Sequence, residues 1–120
     1  MALFEAKKTE MQPPQQAVIV KYRFASGSLD RIFEVEEQLA RIVEATPGCE
    51  FDGNEIAVDG RDNLFYMYGP DADKLFEVIE PVLLSSEILS EAQVRLRYGP
   101  PGIDTRVKTV TLPVYSTTRH

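Results

Sequence analysis

The chain has 120 residues, one cysteine and a formal net charge of −6. That length suits one domain whose core needs no metal or disulfide, and since the lone Cys49 cannot bridge within the chain, the fold does not depend on an oxidising compartment. The acidic total argues against non-specific nucleic-acid binding by the chain as a whole, and the opening MALFEAKKTEMQPPQQ has no apolar block to serve as signal peptide or membrane span, so a cytoplasmic, membrane-free protein is expected.

Residues 1–16 are polar and carry two adjacent prolines, which predicts a flexible arm. A single domain is expected over 17–112. From Ala17 to Phe24, Val18, Val20, Tyr22 and Phe24 alternate with Ile19, Lys21 and Arg23, the period of a first strand. Ser26, Gly27 and Ser28 turn the chain, with Ser28 placed to cap a helix from Leu29 to about Ala45. Its apolar stripe is Ile32, Val35, Leu39 and Ile42 or Val43, and Thr46, Pro47 and Gly48 end it. Cys49 to Val58 reads as a weaker strand, with a bulge or bend at Asp52, Gly53 and Asn54. Residues 59–62 then form a hairpin turn.

Leu64 to Tyr68 is apolar on both sides of the pleat, as a strand with two neighbours should be. Phe65 and Met67 are assigned to the core, leaving the hydroxyl-bearing Tyr66 and Tyr68 to meet solvent. Gly69 and Pro70 are expected to stop the ladder, and Asp71 to cap a second helix. Ala72, Leu75, Phe76, Ile79, Val82 and Leu83 share one stripe of it, interrupted by Pro81, which is expected to end the helix at Glu80 or kink it. Val94, Leu96 and Tyr98 alternate with Gln93, Arg95 and Arg97 in a fourth strand. After a proline-rich loop at 99–102, Thr105 to Leu112 has the β-branched content of one more, followed by a loose end at 113–120.

The order β-α-β-β-α-β plus a terminal strand predicts an α+β fold, a ferredoxin-like sandwich with two helices on one face of an antiparallel sheet. Strands one and four are then neighbours. The helix-free face would carry Lys21, Arg23, Tyr66, Tyr68, Arg95 and Arg97, a basic, tyrosine-bearing surface, and Arg106 and Lys108 would join them if the last strand pairs suitably. FDGNEI at 51–56, YGPDADKLFEVIEPVL at 68–83 and LRYGPPG at 96–102 resemble a set of small bacterial α+β proteins of no established activity. That resemblance implies no catalytic, cofactor or binding residue.

Nothing in the chain spells out a catalyst. The only histidine is the last residue, His120, and Cys49 has no histidine partner, so a small core thiol is the expected role. Asp52, Glu55, Asp59 and Asp62 cluster around the hairpin, but their spacing matches no cation-binding loop, and a solvated turn is expected instead of a metal site. Glycine-rich phosphate motifs are missing, and prolines remove the N–H donors a phosphate cradle at 99–102 would need, so no cofactor is expected. Two non-catalytic readings remain. Aromatics and arginines on an open sheet are favoured at protein interfaces, whether with a partner or as a homodimer, and an acidic helix face of Glu34, Glu37, Glu44, Asp71, Asp73 and Glu77 would suit a basic partner, as in an immunity or inhibitor protein. The same open face is how one RNA-binding module stacks bases, although the first strand here offers Ile19, Lys21 and Arg23 in place of a stacking ring. A cofactor-free enzyme or small-ligand binder is the remaining alternative.

Overall fold

The computed structural model describes residues 15–23, 29–57, 62–102 and 104–115. The expected arm as far as Pro14, Phe24, the cap at Ser28 and the hairpin positions 58–61 lie outside the described residues. The elements are β1 (Gln16–Tyr22), α1 (Leu29–Glu44), β2 (Glu50–Glu55), β3 (Asn63–Gly69), α2 (Ala72–Leu84), a 3-10 turn (Glu87–Leu89), β4 (Gln93–Arg97) and β5 (Val107–Thr111). The strands form one sheet in the order β2-β3-β1-β4-β5, and every pairing is antiparallel.

Strict alternation along the strands decides which face the helices cover. Val18, Val20 and Tyr22 of β1, Phe65 and Met67 of β3, and Val94 and Leu96 of β4 are buried against Ile32, Val35, Leu39 and Val43 of α1 and Leu75, Ile79, Val82 and Leu83 of α2. The result is an α+β molecule with its core between two helices and one face of an antiparallel sheet, and a second face that no helix of the described residues covers. Among the described residues, no helix is long and apolar enough to cross a membrane.

Several boundaries differ from the sequence expectation, each for a local reason. Gln16, assigned to the arm, is the first residue of β1, and its side-chain oxygen accepts a 2.7 Å hydrogen bond from the Ala72 N–H at the start of α2. Asp71 caps the same helix by accepting from the Lys74 N–H at 3.1 Å, so two of the orphan donors of the first turn are satisfied by side chains. Gly69 does not stop the ladder; it still pairs with Gln16. Any side chain there would place its Cβ 2.7 Å from the Cys49 sulfur, so glycine is what lets the start of β2 close on the end of β3. The chain also stays attached past Leu112. Pro113 accepts from the Glu91 N–H, and the Tyr115 N–H donates to the Ser90 hydroxyl, fixing three residues of the expected loose end.

One polar element is built into this apolar layer. Tyr22 is 3% exposed, stacked on Phe65 at 4.8 Å between ring centroids, and its hydroxyl donates to the Asn54 side chain at 3.0 Å. Burial is the main cause that pushes its pKa from the usual 10 up to about 12, against the lowering effect of the Asn54 contact. The folded state therefore holds this proton more tightly than the unfolded chain does. That stabilisation is fully present below about pH 10 and is lost as pH rises from 10 to 12, an effect on the order of 1–2 kcal/mol. Urea unfolding of the native chain and Tyr22→Phe at pH 9 and pH 12 measures it: the native chain is expected to lose more stability than the variant, and equal losses would show that this phenol does not couple to folding.

Candidate functional site

The register of the sheet fixes which side chains share the helix-free face. One row across it is Glu50, Tyr68, Ala17, Arg97 and Val107, and the next is Gly53, Tyr66, Ile19, Arg95 and Thr109. A third is Glu55, Leu64, Lys21, Gln93 and Thr111. Reading across, the face passes from carboxylates on β2 to tyrosines on β3, a small apolar strip on β1, arginines on β4 and small side chains on β5.

Four of the six residues expected on this face stand together. Arg97 reaches over Ala17 toward the Tyr68 ring, 6.0 Å from guanidinium carbon to centroid, and its Nε donates to the Gly99 carbonyl at 2.7 Å. Ala17, which lies between Tyr68 and Arg97, is fully buried although no helix of the described residues covers it. Tyr66 and Arg95 flank the half-buried Ile19 in the neighbouring row. Lys21 shares the face but sits at its far end, 3.6 Å from Asp62, with both side chains largely exposed, so the pair contributes little to stability. Arg23 lies past the end of β1 and lines a groove of about 460 Å³ with Lys21, Asp62, Glu91 and Gln93, away from Arg95 and Arg97.

Two further cations do not join. Lys108 is opposite Leu96, so its side chain belongs to the other face of the sheet. Arg106 lies over the Tyr98 ring at 5.4 Å, and Tyr98 donates to Asp73 on α2 at 2.7 Å. Both side chains are thereby placed on the helix side. Each is the direct chain neighbour of Val107 or Thr109, the residues opposite Arg97 and Arg95, and in a period-two strand a one-residue step reverses the face.

The sequence reading missed the acids of this face. It placed the carboxylates on the helices and hairpin, whereas Glu50 and Glu55 point with the tyrosines. Asp52 is the extra residue of a bulge between Phe51 and Gly53. The tyrosines register them electrostatically. The Tyr66 hydroxyl donates to Glu55 at 2.8 Å, which raises its pKa, with burial adding to the rise. Tyr68 is raised by burial first and then by the charges of Asp52 and Glu50, against the opposing pull of Arg97. Both phenols therefore stay protonated at neutral pH as hydrogen-bond donors. The alternation of Glu50 and Asp52 around Phe51 carried the missing signal, but the glycine after it made the register ambiguous.

The acidic helix surface is less free than its composition suggests. Asp71 is occupied as a cap, Asp73 accepts from Tyr98, and Glu37 lies 3.4 Å from Arg41 one turn along. Glu34, Glu44 and Glu77 are exposed. Burial, followed by the Asp71 charge, raises the Cys49 pKa, the reverse of what activates a thiolate. Around the hairpin, Asp62 is paired with Lys21 and Glu55 with Tyr66, and among the described residues no three His, Cys, Asp or Glu side chains gather to hold a metal. No family model, curated protein or solved structure matches the chain.

Proposed function

We propose that this chain is a small non-enzymatic protein-binding or regulatory domain of ferredoxin-like topology that works in the cytoplasm through its helix-free sheet face. The order β2-β3-β1-β4, extended by β5, supports that topology, since it is the order the split βαβ connection calls for. One observation carries the binding role: a face that no helix of the described residues covers presents two tyrosines and two arginines around an apolar strip, while acids occupy its other side. Aromatics and arginines are the side chains that supply most of the energy at protein interfaces, and here Tyr66, Tyr68 and Arg97 are half-buried and Arg95 exposed. The acids weigh against RNA, because Glu50, Asp52 and Glu55 stand beside the rings on which bases would stack and would repel the phosphates.

Affinity capture of the tagged full-length chain from its native cells, with and without nuclease treatment and at low salt, tests this reading. A protein recovered in stoichiometric amount, another species or untagged copies of the same chain, is expected with the native sequence and not with the double variant Arg95→Glu/Arg97→Glu. Recovery unchanged by that variant but lost on reversing Glu34 and Glu77 would move the role to the helices. Nuclease-sensitive RNA in place of protein would overturn it in favour of base stacking.

A further inference from the structure

We infer that the occupant of the open sheet face is a second copy of this chain, docked face to face about a two-fold axis that runs parallel to the strands between β1 and β3. The inference rests on reading that face as a protein-binding surface and specifies what binds there.

Several charges on this face have no opposite charge beside them among the described residues. Among the described residues, Arg95 and Arg97 have no carboxylate within ion-pair distance, and Glu50 and Asp52 have no cation within it. Both sets lie on the same face, but β3 and β1 intervene. Three inter-strand steps of about 4.8 Å hold them roughly 14 Å apart, too far to pair within one molecule. A face with anions along one side and cations along the other is complementary to itself, provided the second copy is turned so that the sides exchange.

Only one orientation makes that exchange. A two-fold axis lying across the strands would set β2 over β2 and β4 over β4, stacking acid on acid and arginine on arginine. A two-fold axis along the strands between β1 and β3 sets β2 over β4 and β3 over β1, and leaves each row over its own counterpart. Glu50 of one copy then meets Arg97 of the other, and the bulge residue Asp52 meets Arg95. Tyr66 of each copy comes down on Ile19 of the other, a ring against the low apolar strip. All of these contacts occur twice, as an isologous interface requires. The twist of each sheet would set the two strand directions about 30° apart, the aligned mode of sheet packing. Four strands about 20 Å long make a contact of roughly 400 Å² in plan, small for a specific interface, so a weak, reversible and salt-sensitive dimer is implied.

Sedimentation equilibrium of the full-length, nuclease-treated chain, from micromolar to millimolar concentration at low and high salt, tests the inference. The native chain is expected to dimerise, more weakly as salt rises. Arg95→Glu/Arg97→Glu and Glu50→Lys/Asp52→Lys are each expected to weaken self-association by about 30-fold or more. Mixing the two variants one to one is expected to restore a dimer, because every reversed contact then finds an opposite charge; this control also shows that the variants are folded. A native chain that is monomeric at millimolar concentration, or a dimer indifferent to both reversals, would overturn the inference. In the monomeric case, a different protein captured by the native chain and lost with Arg95→Glu/Arg97→Glu would leave the binding role standing while removing the second copy as occupant.

Discussion

Phe65→Ala is expected to lower the unfolding free energy by about 3–5 kcal/mol, a large part of the roughly 5–15 kcal/mol that holds a domain of this size together. Phe65 is fully buried in the middle of β3, stacked on Tyr22 at 4.8 Å and tilted against Phe51 at 6.3 Å. Truncation removes the ring from both neighbours and leaves a cavity that a sheet paired on both sides cannot close. Loss of the stack would also loosen Tyr22, whose hydroxyl holds the Asn54 side chain. Phe33→Ala is the control, because Phe33 is 51% exposed on α1 and its truncation is expected to cost no more than about 0.5 kcal/mol. Urea midpoints with unchanged slopes measure both. Equal costs would mean that β3 does not place its odd-numbered residues inward, and since Tyr66 and Tyr68 face outward only if Phe65 and Met67 face inward, the proposed binding surface would fall with the core.

That coupling explains why so much of the architecture was legible from the residues. In β1 and β4 the apolar core positions recur at period two, and in β3, apolar on both sides, the hydroxyls of Tyr66 and Tyr68 mark the outward face; a one-residue slip would expose Val20, Phe65 and Val94 together. The outward positions of Lys21, Tyr66, Tyr68, Arg95 and Arg97 follow from the same arithmetic. The pattern weakens at β2, where Phe51 is the one large apolar residue and the bulge at Gly53 changes the count, so the acids that share the face were not found. It weakens again at the ends. The amide of Gln16 acts as a helix cap 56 positions away, and a long-range contact of that kind leaves no local trace. Arg106 and Lys108 stay open in the sequence for a simpler cause: a strand's composition says that it will pair, but only the register says which face each side chain takes.

Pro81→Ala is expected to stabilise the protein by about 1–2 kcal/mol, although proline is the natural residue there. The sequence marks Pro81 as the point where α2 should end or bend, yet the helix runs on to Leu84. Two features beyond the proline account for it. Val82 and Leu83 are buried in the core, and the last turn is closed by the Ser85 N–H donating to the carbonyls of Pro81 and Val82, with the hydroxyls of Ser85 and Ser86 also donating to Val82. Packing and capping therefore hold a turn that the backbone alone would not. The cost remains: Pro81 has no N–H to offer the Glu77 carbonyl, and in a helix interior proline is about 3 kcal/mol worse than alanine. Alanine recovers most of that difference, less about 0.4–1 kcal/mol for the greater freedom of its unfolded chain. Because Pro81 is exposed, the substitution removes no core contact. Thermal unfolding is expected to move up by several degrees, at roughly 4–8 °C per kcal/mol for a domain near this size. A fall instead would show that the proline sets the direction of the last turn, and that Val82 and Leu83 reach the core only because the helix is bent there.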